Sequence, residues 1–298
     1  MRILIKAHHY AVASGRYMAD ALLRLGHDVR TDGPVHGNVI WGVTVDERHE
    51  WLPNKPEKGW APELVIIADA HLEPDATEGH DCPVVVYGVD NHVRDYAQYD
   101  VDHLFLAHGF GARIGEPDVT WLPCGYDPRV FKPGKEWAER EYDAALVGVQ
   151  YGPRNELLYV LLSNFIGIRI AYGVGALYED FAATYQNARL SLVRSAAGDV
   201  AQRVWETAAM GCVVVKDANA DDEALGLADG KNCLIYTSPA EAVEKVRWAL
   251  SYPDEAQKIA RAGQRWAKPG TWDERMKVIV DWAQARSGQQ AEKEPDSE

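Results

Sequence analysis

The sequence is poor in cysteine, in long apolar runs and in positive charge. Its four cysteines, Cys82, Cys124, Cys212 and Cys233, lie far apart and form no CxxC pair. That pattern argues against a zinc knuckle or a disulfide framework, and the four read as reduced, mostly buried small hydrophobes. No apolar stretch approaches the roughly 20 residues that cross a bilayer. The opening run Met1–Ile5 is too short for a secretory signal, and Lys6 and two histidines follow at once. A soluble, cytoplasmic protein is expected. Lys and Arg number 31 against 45 Asp and Glu, a formal charge of −14. Such a chain has no cationic surplus for broad binding to nucleic acid or to an anionic membrane, although a local basic groove stays open. No His, Asp or Glu spacing marks a dedicated metal site, so none is expected.

What is present suits a packed globular protein. At 298 residues with 47% hydrophobic content, the chain makes one large domain or two ordinary ones. Its ten tryptophans are assigned first to core. Arg2–Lys6 reads as a strand, a turn-rich loop from His8 to Gly15 follows, and Tyr17–Leu25 has helical period and stops at Gly26. His27–Thr31 begins the next strand, completing the βαβ opening of a doubly wound sheet. Gly33 to Pro62 reads as a long loop. Glu63–Ala68 and Pro83–Gly88 are continuous apolar runs, as a parallel sheet covered on both faces requires, and His103–His108 is a further strand. The Pro/Gly-rich stretch Pro117–Pro133 is the expected domain junction. Beyond it, strands near Ala144–Gly148, Ile168–Tyr172, Leu190–Val193, Val213–Val215 and Leu234–Tyr236 alternate with helices. The last helix is expected near Trp272–Ala285, and the polar segment from Ser287 to Glu298 reads as a disordered tail.

The most informative segment is Arg203–Val215. Arg203 and Glu206 stand nearly one turn apart on a small-residue helix that ends at Gly211 and enters an apolar strand. Two charges at a helix N-terminus beside the end of a parallel strand are where open α/β sheets hold nucleotides. A carboxylate at Glu206 suits a vicinal diol, because it accepts and does not donate. A guanidinium at Arg203 offers a planar fork to phosphate oxygens. The same letters also suit an exposed ion pair, Arg203 with Glu206 or Asp199. Arg154 is a second candidate phosphate donor, and Gly148 lets backbone amides approach a diphosphate. Ser14 and Gly15, between the first strand and first helix, are placed to meet phosphate or acceptor, or Ser14 simply caps the helix. Asp90, with Asn91 and His92 after the strand Val84–Tyr87, is placed to orient or deprotonate an acceptor hydroxyl, or to form an Asx-turn. His8, His9 and His108 also lie at strand ends.

The order and spacing of these motifs resemble the C-terminal half of GT-B glycosyltransferases of the CgeB-like, group 1 branch. The resemblance rests on Arg203…Glu206…Gly211, then Glu223, Gly230–Tyr236, Pro239-Ala240-Glu241 and Ile259–Gly263, with Tyr142–Gly148 and Arg154 upstream and the bridge Trp121–Pro133. It covers half to two thirds of the chain. It implies an α/β architecture of two Rossmann-like domains facing across a cleft. Residues 1–133 would form the acceptor-side domain and 134–270 the nucleotide-sugar domain. Residues 271–286 would be a helix packing back on the first domain, and 287–298 the tail. The implied reaction is metal-independent transfer of a sugar from a nucleotide-diphosphate sugar, UDP-sugar first, to an acceptor hydroxyl on a glycan, small molecule or modified DNA, with no cofactor. Glu206 would hold the ribose and Arg203 the departing diphosphate. Related retaining enzymes often carry a second Glu eight residues before the ribose-binding one; here that position is Gly198, beside Asp199, which leaves the sugar contact and the stereochemical outcome open. Three other readings stand beside this one: transfer to hydroxymethylated DNA bases, a sugar-nucleotide epimerase, and a non-catalytic sugar-nucleotide-binding protein.

Overall fold

The computed structural model describes residues 1–36, 39–40, 43–44, 46–68, 74–91, 94–109 and 116–291. The chain opens with strand β1 (Arg2–Lys6), helix α1 (Ser14–Arg24) and strand β2 (Asp28–Asp32). Between Gly33 and Pro62, where the sequence suggested only loop, β3 (Val39–Ile40) and β4 (Val43–Thr44) pair antiparallel and Glu47–His49 makes a 3-10 turn. Strands of two residues are too short to show a period of two. Then come β5 (Leu64–Ile67), β6 (Val84–Gly88), β7 (His103–Leu106) and β8 (Val119–Trp121). Every residue of β5, β6 and β7 is buried, the two-sided cover that their apolar runs demand. The six strands align in the order β2-β1-β5-β6-β7-β8, all parallel. Strand β8 falls inside the stretch read as the junction. Its three residues pair with β7, Leu104 opposite Val119, and a three-residue edge strand carries little signal between prolines.

The second sheet repeats the plan. Its elements are β9 (Tyr142–Val147), α2 (Gly152–Asn164), β10 (Ile170–Gly173), α3 (Tyr178–Gln186), β11 (Ala188–Val193) and α4 (Gln202–Ala209). They continue through β12 (Val213–Asp217), β13 (Leu234–Tyr236), α5 (Pro239–Ser251) and α6 (Pro253–Ala267). The strand order is β10-β9-β11-β12-β13, again all parallel. Under its carboxyl edge sits a buried ion pair. Lys216, 1% exposed, donates from Nζ to both carboxylate oxygens of Asp222 at 2.7 and 2.8 Å and to the Asp217 carbonyl at 2.5 Å. All three ammonium protons are thereby used.

Helix α7 (Trp272–Ala291) returns to the first sheet and packs along α1. It runs past Ala285, so residues 287–291 of the expected tail are helical; residues 292–298 lie outside the described residues. Trp272 is fully buried between Tyr17 and Tyr87, with ring centroids 6.1 and 5.6 Å away. Arg24 of α1 pairs with Asp273 of α7 and, at 3.0 Å, with Asp127. The chain therefore passes between the two sheets twice, through the segment after β8 and again before α7. The two passages are zipped together: the Tyr126 amide donates to the Gly270 carbonyl and the Trp272 amide to the Tyr126 carbonyl, each at 3.0 Å. At Gly270 a side chain is impossible, since a Cβ there would lie 2.4 Å from the Trp205 ring. No helix among the described residues is long and apolar enough to cross a membrane.

Candidate functional site

A cavity of about 370 Å³ lies between the two sheets, at the carboxyl ends of β9 and β11. Open α/β sheets place their ligand crevices at strand carboxyl ends. The loop after β9 supplies Gly148 and Val149, α2 supplies Arg154, and the loop after β11 supplies Arg194, Ser195 and Asp199. Helix α4 contributes Gln202, Arg203 and Glu206 from its first turns. Across the cleft, Val12 and Tyr17 close the opposite wall, with Phe131 from the first passage between the domains.

The cations are the dominant feature. A Cβ built on Gly148 would lie 2.5 Å from Arg203 Nη2 and 3.0 Å from Arg154 Nη1. Two guanidinium groups thus converge on Gly148 so closely that a methyl there would clash with both, and Gly148 at φ +133° adopts backbone that few other residues tolerate. Arg154 is 6% exposed; it donates to the Val149 carbonyl at 2.5 Å and stacks 4.5 Å over the Tyr151 ring. Burial, and then the neighbouring Arg203 charge, lower its pKa. Arg203 lies 5.9 Å from the centroid of Phe181. The Nε atoms of both arginines are buried without a partner, and neither forms an ion pair among the described residues. The pairing of Arg203 with Glu206 or Asp199 that the sequence allowed is therefore not formed. Like charges this close are costly unless an anion separates them.

Glu206 is the cavity's buried acid. It is 7% exposed, and its Oε1 accepts from Gln202 Nε2 at 2.7 Å. Burial raises its pKa to about 7, against the opposing pull of the Gln202 hydrogen bond and of Arg203. A carboxyl that holds its proton more tightly in the fold than in the unfolded chain favours folding below the unfolded value of 4.5, and this advantage is lost as pH rises through about 7. Glu206→Gln should accordingly stabilise the ligand-free protein by up to about 3 kcal/mol at pH 8 and leave it unchanged at pH 4. Urea unfolding at the two pH values measures this, and a gain that is equal at both would refute it.

Asp217, at the end of β12, fixes the loop that carries Arg194 and Asp199. It pairs with Arg194 at 3.0 Å, accepts the Ser195 amide at 2.9 Å and accepts the Ser195 hydroxyl. The Asp199 carbonyl accepts from Asn219 at 3.1 Å. The opposite wall is held by Tyr178, whose φ is +45°. It leaves the second domain to donate its hydroxyl to the Ala11 carbonyl, and its ring lies 5.5 Å from Tyr17 and 4.4 Å from the Arg16 guanidinium. Positive φ in a non-glycine residue is a strained conformation that its surroundings must enforce.

Of the residues singled out in the sequence, Gly148, Arg154, Asp199, Arg203 and Glu206 line this one cavity. Ser14, Gly15 and Asp90 do not. Ser14 is not the helix cap: that position is Ala13, and the Ser14 hydroxyl donates to the Ala68 carbonyl at 2.8 Å. Gly15 packs where a Cβ would lie 2.6 Å from Ala7 Cβ. Asp90 faces Arg94 at 4.0 Å, and its amide donates to the Tyr96 hydroxyl at 3.2 Å. Asn91 clamps the His108 backbone at 2.6 and 2.9 Å; His92 lies outside the described residues. His9 is buried against Trp51, and His8 meets His36. Among the described residues no three His, Cys, Asp or Glu side chains gather as a metal site would need. Sequence reasoning passed over Arg194, Ser195 and Gln202. The first two directly follow β11, and their place at a parallel strand's carboxyl end was a usable signal. Tyr17 and Tyr178 gave none, because only the closed cleft brings them to the cavity.

Residues 130–281, just over half of the chain, match the family model described as glycosyl transferase-like. No curated protein sequence matches the chain. In fold it is similar to Anabaena HepE solved in complex with UDP and glucose, with a TM-score of 0.69 at 12% identity over 96% of this chain and 100% of that one. It is similar to the sucrose-phosphate synthase of Thermosynechococcus elongatus, with a TM-score of 0.67 at 11% identity over 97% and 100% of the chains. An alpha-glucosyltransferase in complex with UDP-glucose and DNA containing an abasic site gives a TM-score of 0.61 at 10% identity over 94% and 99%. Two parallel sheets meeting at a cleft give the same GT-B architecture as these enzymes, and the chain belongs to the glycosyl transferase-like family as a glycosyltransferase of two Rossmann-like domains.

Proposed function

We propose that the donor is a nucleotide-diphosphate sugar, UDP-sugar first, bound in the cavity between the sheets. The observation that carries this reading is the pair Arg154 and Arg203, two unneutralised guanidinium groups converging over Gly148. A diphosphate supplies the missing negative charge and fits two planar donor forks. Glu206 accepts from the ribose hydroxyls, and Asp199 faces the sugar. HepE bound to UDP-glucose and the alpha-glucosyltransferase bound to UDP-glucose support a uridine donor.

In the reaction, the bond between the anomeric carbon and the diphosphate oxygen breaks as an acceptor hydroxyl oxygen bonds to that carbon, and the hydroxyl proton leaves with the diphosphate product. Negative charge develops on the leaving diphosphate, and Arg203 with Arg154 stabilises it. Two guanidinium groups carry this charge without a bound cation, so chelation should leave turnover intact. The acceptor approaches from the first domain. Four free cysteines suit a reducing compartment, and we place the enzyme in the cytoplasm.

Calorimetry with UDP, GDP and TDP tests the donor site. UDP should bind, and Glu206→Ala should weaken it at least tenfold at pH 8. Absence of binding by any of the three, or equal binding by the variant, would overturn the reading.

A further inference from the structure

Gln202 has no role in the account so far, yet it stands one turn before Glu206 on α4 and shares the cavity lining. Its amide is the one donor to Glu206 among the described residues, at 2.7 Å on Oε1. Oε2 of Glu206 receives no hydrogen bond from any of them. A carboxylate with one oxygen held and the other open has a fixed plane. Its remaining acceptor capacity then points one way, and neither oxygen has to be reoriented when a diol arrives. The spacing allows this without strain, because residues four apart are neighbours on a helix surface.

From this geometry we propose that Gln202 is a positioning residue for the donor site: it pins one oxygen of Glu206 and so presents the other, ionised and oriented, to the nucleotide's ribose. The inference rests on the donor reading above and assigns a further residue to it. Its physical content is a competition. Burial of Glu206 disfavours the ionised form, while the Gln202 N–H favours it. The other charged or titratable groups that face Glu206 are Arg203 on its own helix, Tyr17 of α1 and Tyr178 of α3. Arg154, Arg194 and Asp199 share the cavity. Tyr17 and Tyr178 both have pKa values raised, chiefly by burial, and stay neutral across the working range. Among the residues facing Glu206, only Gln202 forms a hydrogen bond to its carboxylate.

The test is calorimetric titration of UDP into the full chain between pH 6 and pH 9, for the wild type, Gln202→Leu, Gln202→Lys and Glu206→Ala. Wild-type affinity should rise through pH about 7 as Glu206 ionises. Gln202→Leu removes a hydrogen bond to a charged group and should weaken UDP about tenfold at pH 7. Its pH midpoint should move up, so that most of the loss is recovered at pH 9. Gln202→Lys keeps a donor of similar reach and adds a positive charge, and its midpoint should move down. A residue that merely supports the fold would shift neither midpoint. A loss in Gln202→Leu that is equal at every pH, or no loss at all, overturns the proposal. If Glu206→Ala abolishes UDP binding while both Gln202 variants behave as wild type, only this inference fails. If Glu206→Ala binds as wild type, the donor reading fails with it.

Discussion

Arg203→Ala lowers the transfer rate by about 10²–10³-fold, the range seen when one preorganised donor to a developing negative charge is removed. The side chain is not an ordinary support. It faces Arg154 across Gly148 without a carboxylate partner, so in the ligand-free protein its removal relieves repulsion. The melting temperature of Arg203→Ala should be equal to or above that of the wild type, while turnover collapses. Stability and activity moving apart is the signature of a group held for the transition state. Gly148→Ala tests the same geometry from the backbone side. A methyl there would sit 2.5 Å from Arg203 Nη2, on backbone at φ +133°, and should cost activity while both guanidiniums remain present. Steady-state turnover and thermal unfolding of the two variants check this. Near-wild-type turnover in Arg203→Ala would remove the arginine from the reaction.

Asp222→Ala loses about 3–5 kcal/mol of stability, because it strands the Lys216 ammonium, 1% exposed, without its carboxylate. That corresponds to a fall in melting temperature on the order of 10 °C. The double variant Lys216→Met with Asp222→Leu should recover most of it, since replacing both partners leaves no buried charge. The effect reaches the cavity as well. Lys216 also holds the Asp217 carbonyl, and the Asp217 carboxylate pins Arg194 and Ser195. Unfolding followed by calorimetry gives the stability change, and recovery of less than half of the loss in the double variant would contradict the stranded-charge account.

The fold was readable where burial is two-sided and long. Leu64–Ile67 and Val84–Tyr87 are apolar without a break, and only a sheet covered on both faces can use them. Reading failed where a strand is short or at an edge. Val119–Trp121 is three residues between prolines at the edge of its sheet. The cavity was readable on one side. Gly148, Arg154, Asp199, Arg203 and Glu206 occupy loop and helix positions beside strand carboxyl ends, which a linear pattern can locate. Ser14 has the same kind of position but spends its hydroxyl on Ala68, a partner 54 residues away that no local pattern announces. Tyr17 and Tyr178 reach the cavity from different domains, and their meeting depends on how the two sheets close.

The double passage between the sheets also bears on how the molecule assembles. The cover of the first sheet is completed only when α7, made after the whole second domain, lies along α1 and seats Trp272 between Tyr17 and Tyr87. During synthesis the domain that begins the chain is therefore the last to be finished, and its apolar face must wait, exposed, for its final helix. A fragment cut at the junction would carry that open face permanently, so the two halves are poor candidates for separate expression. Two hydrogen-bonded passages, rather than a single linker, join the domains.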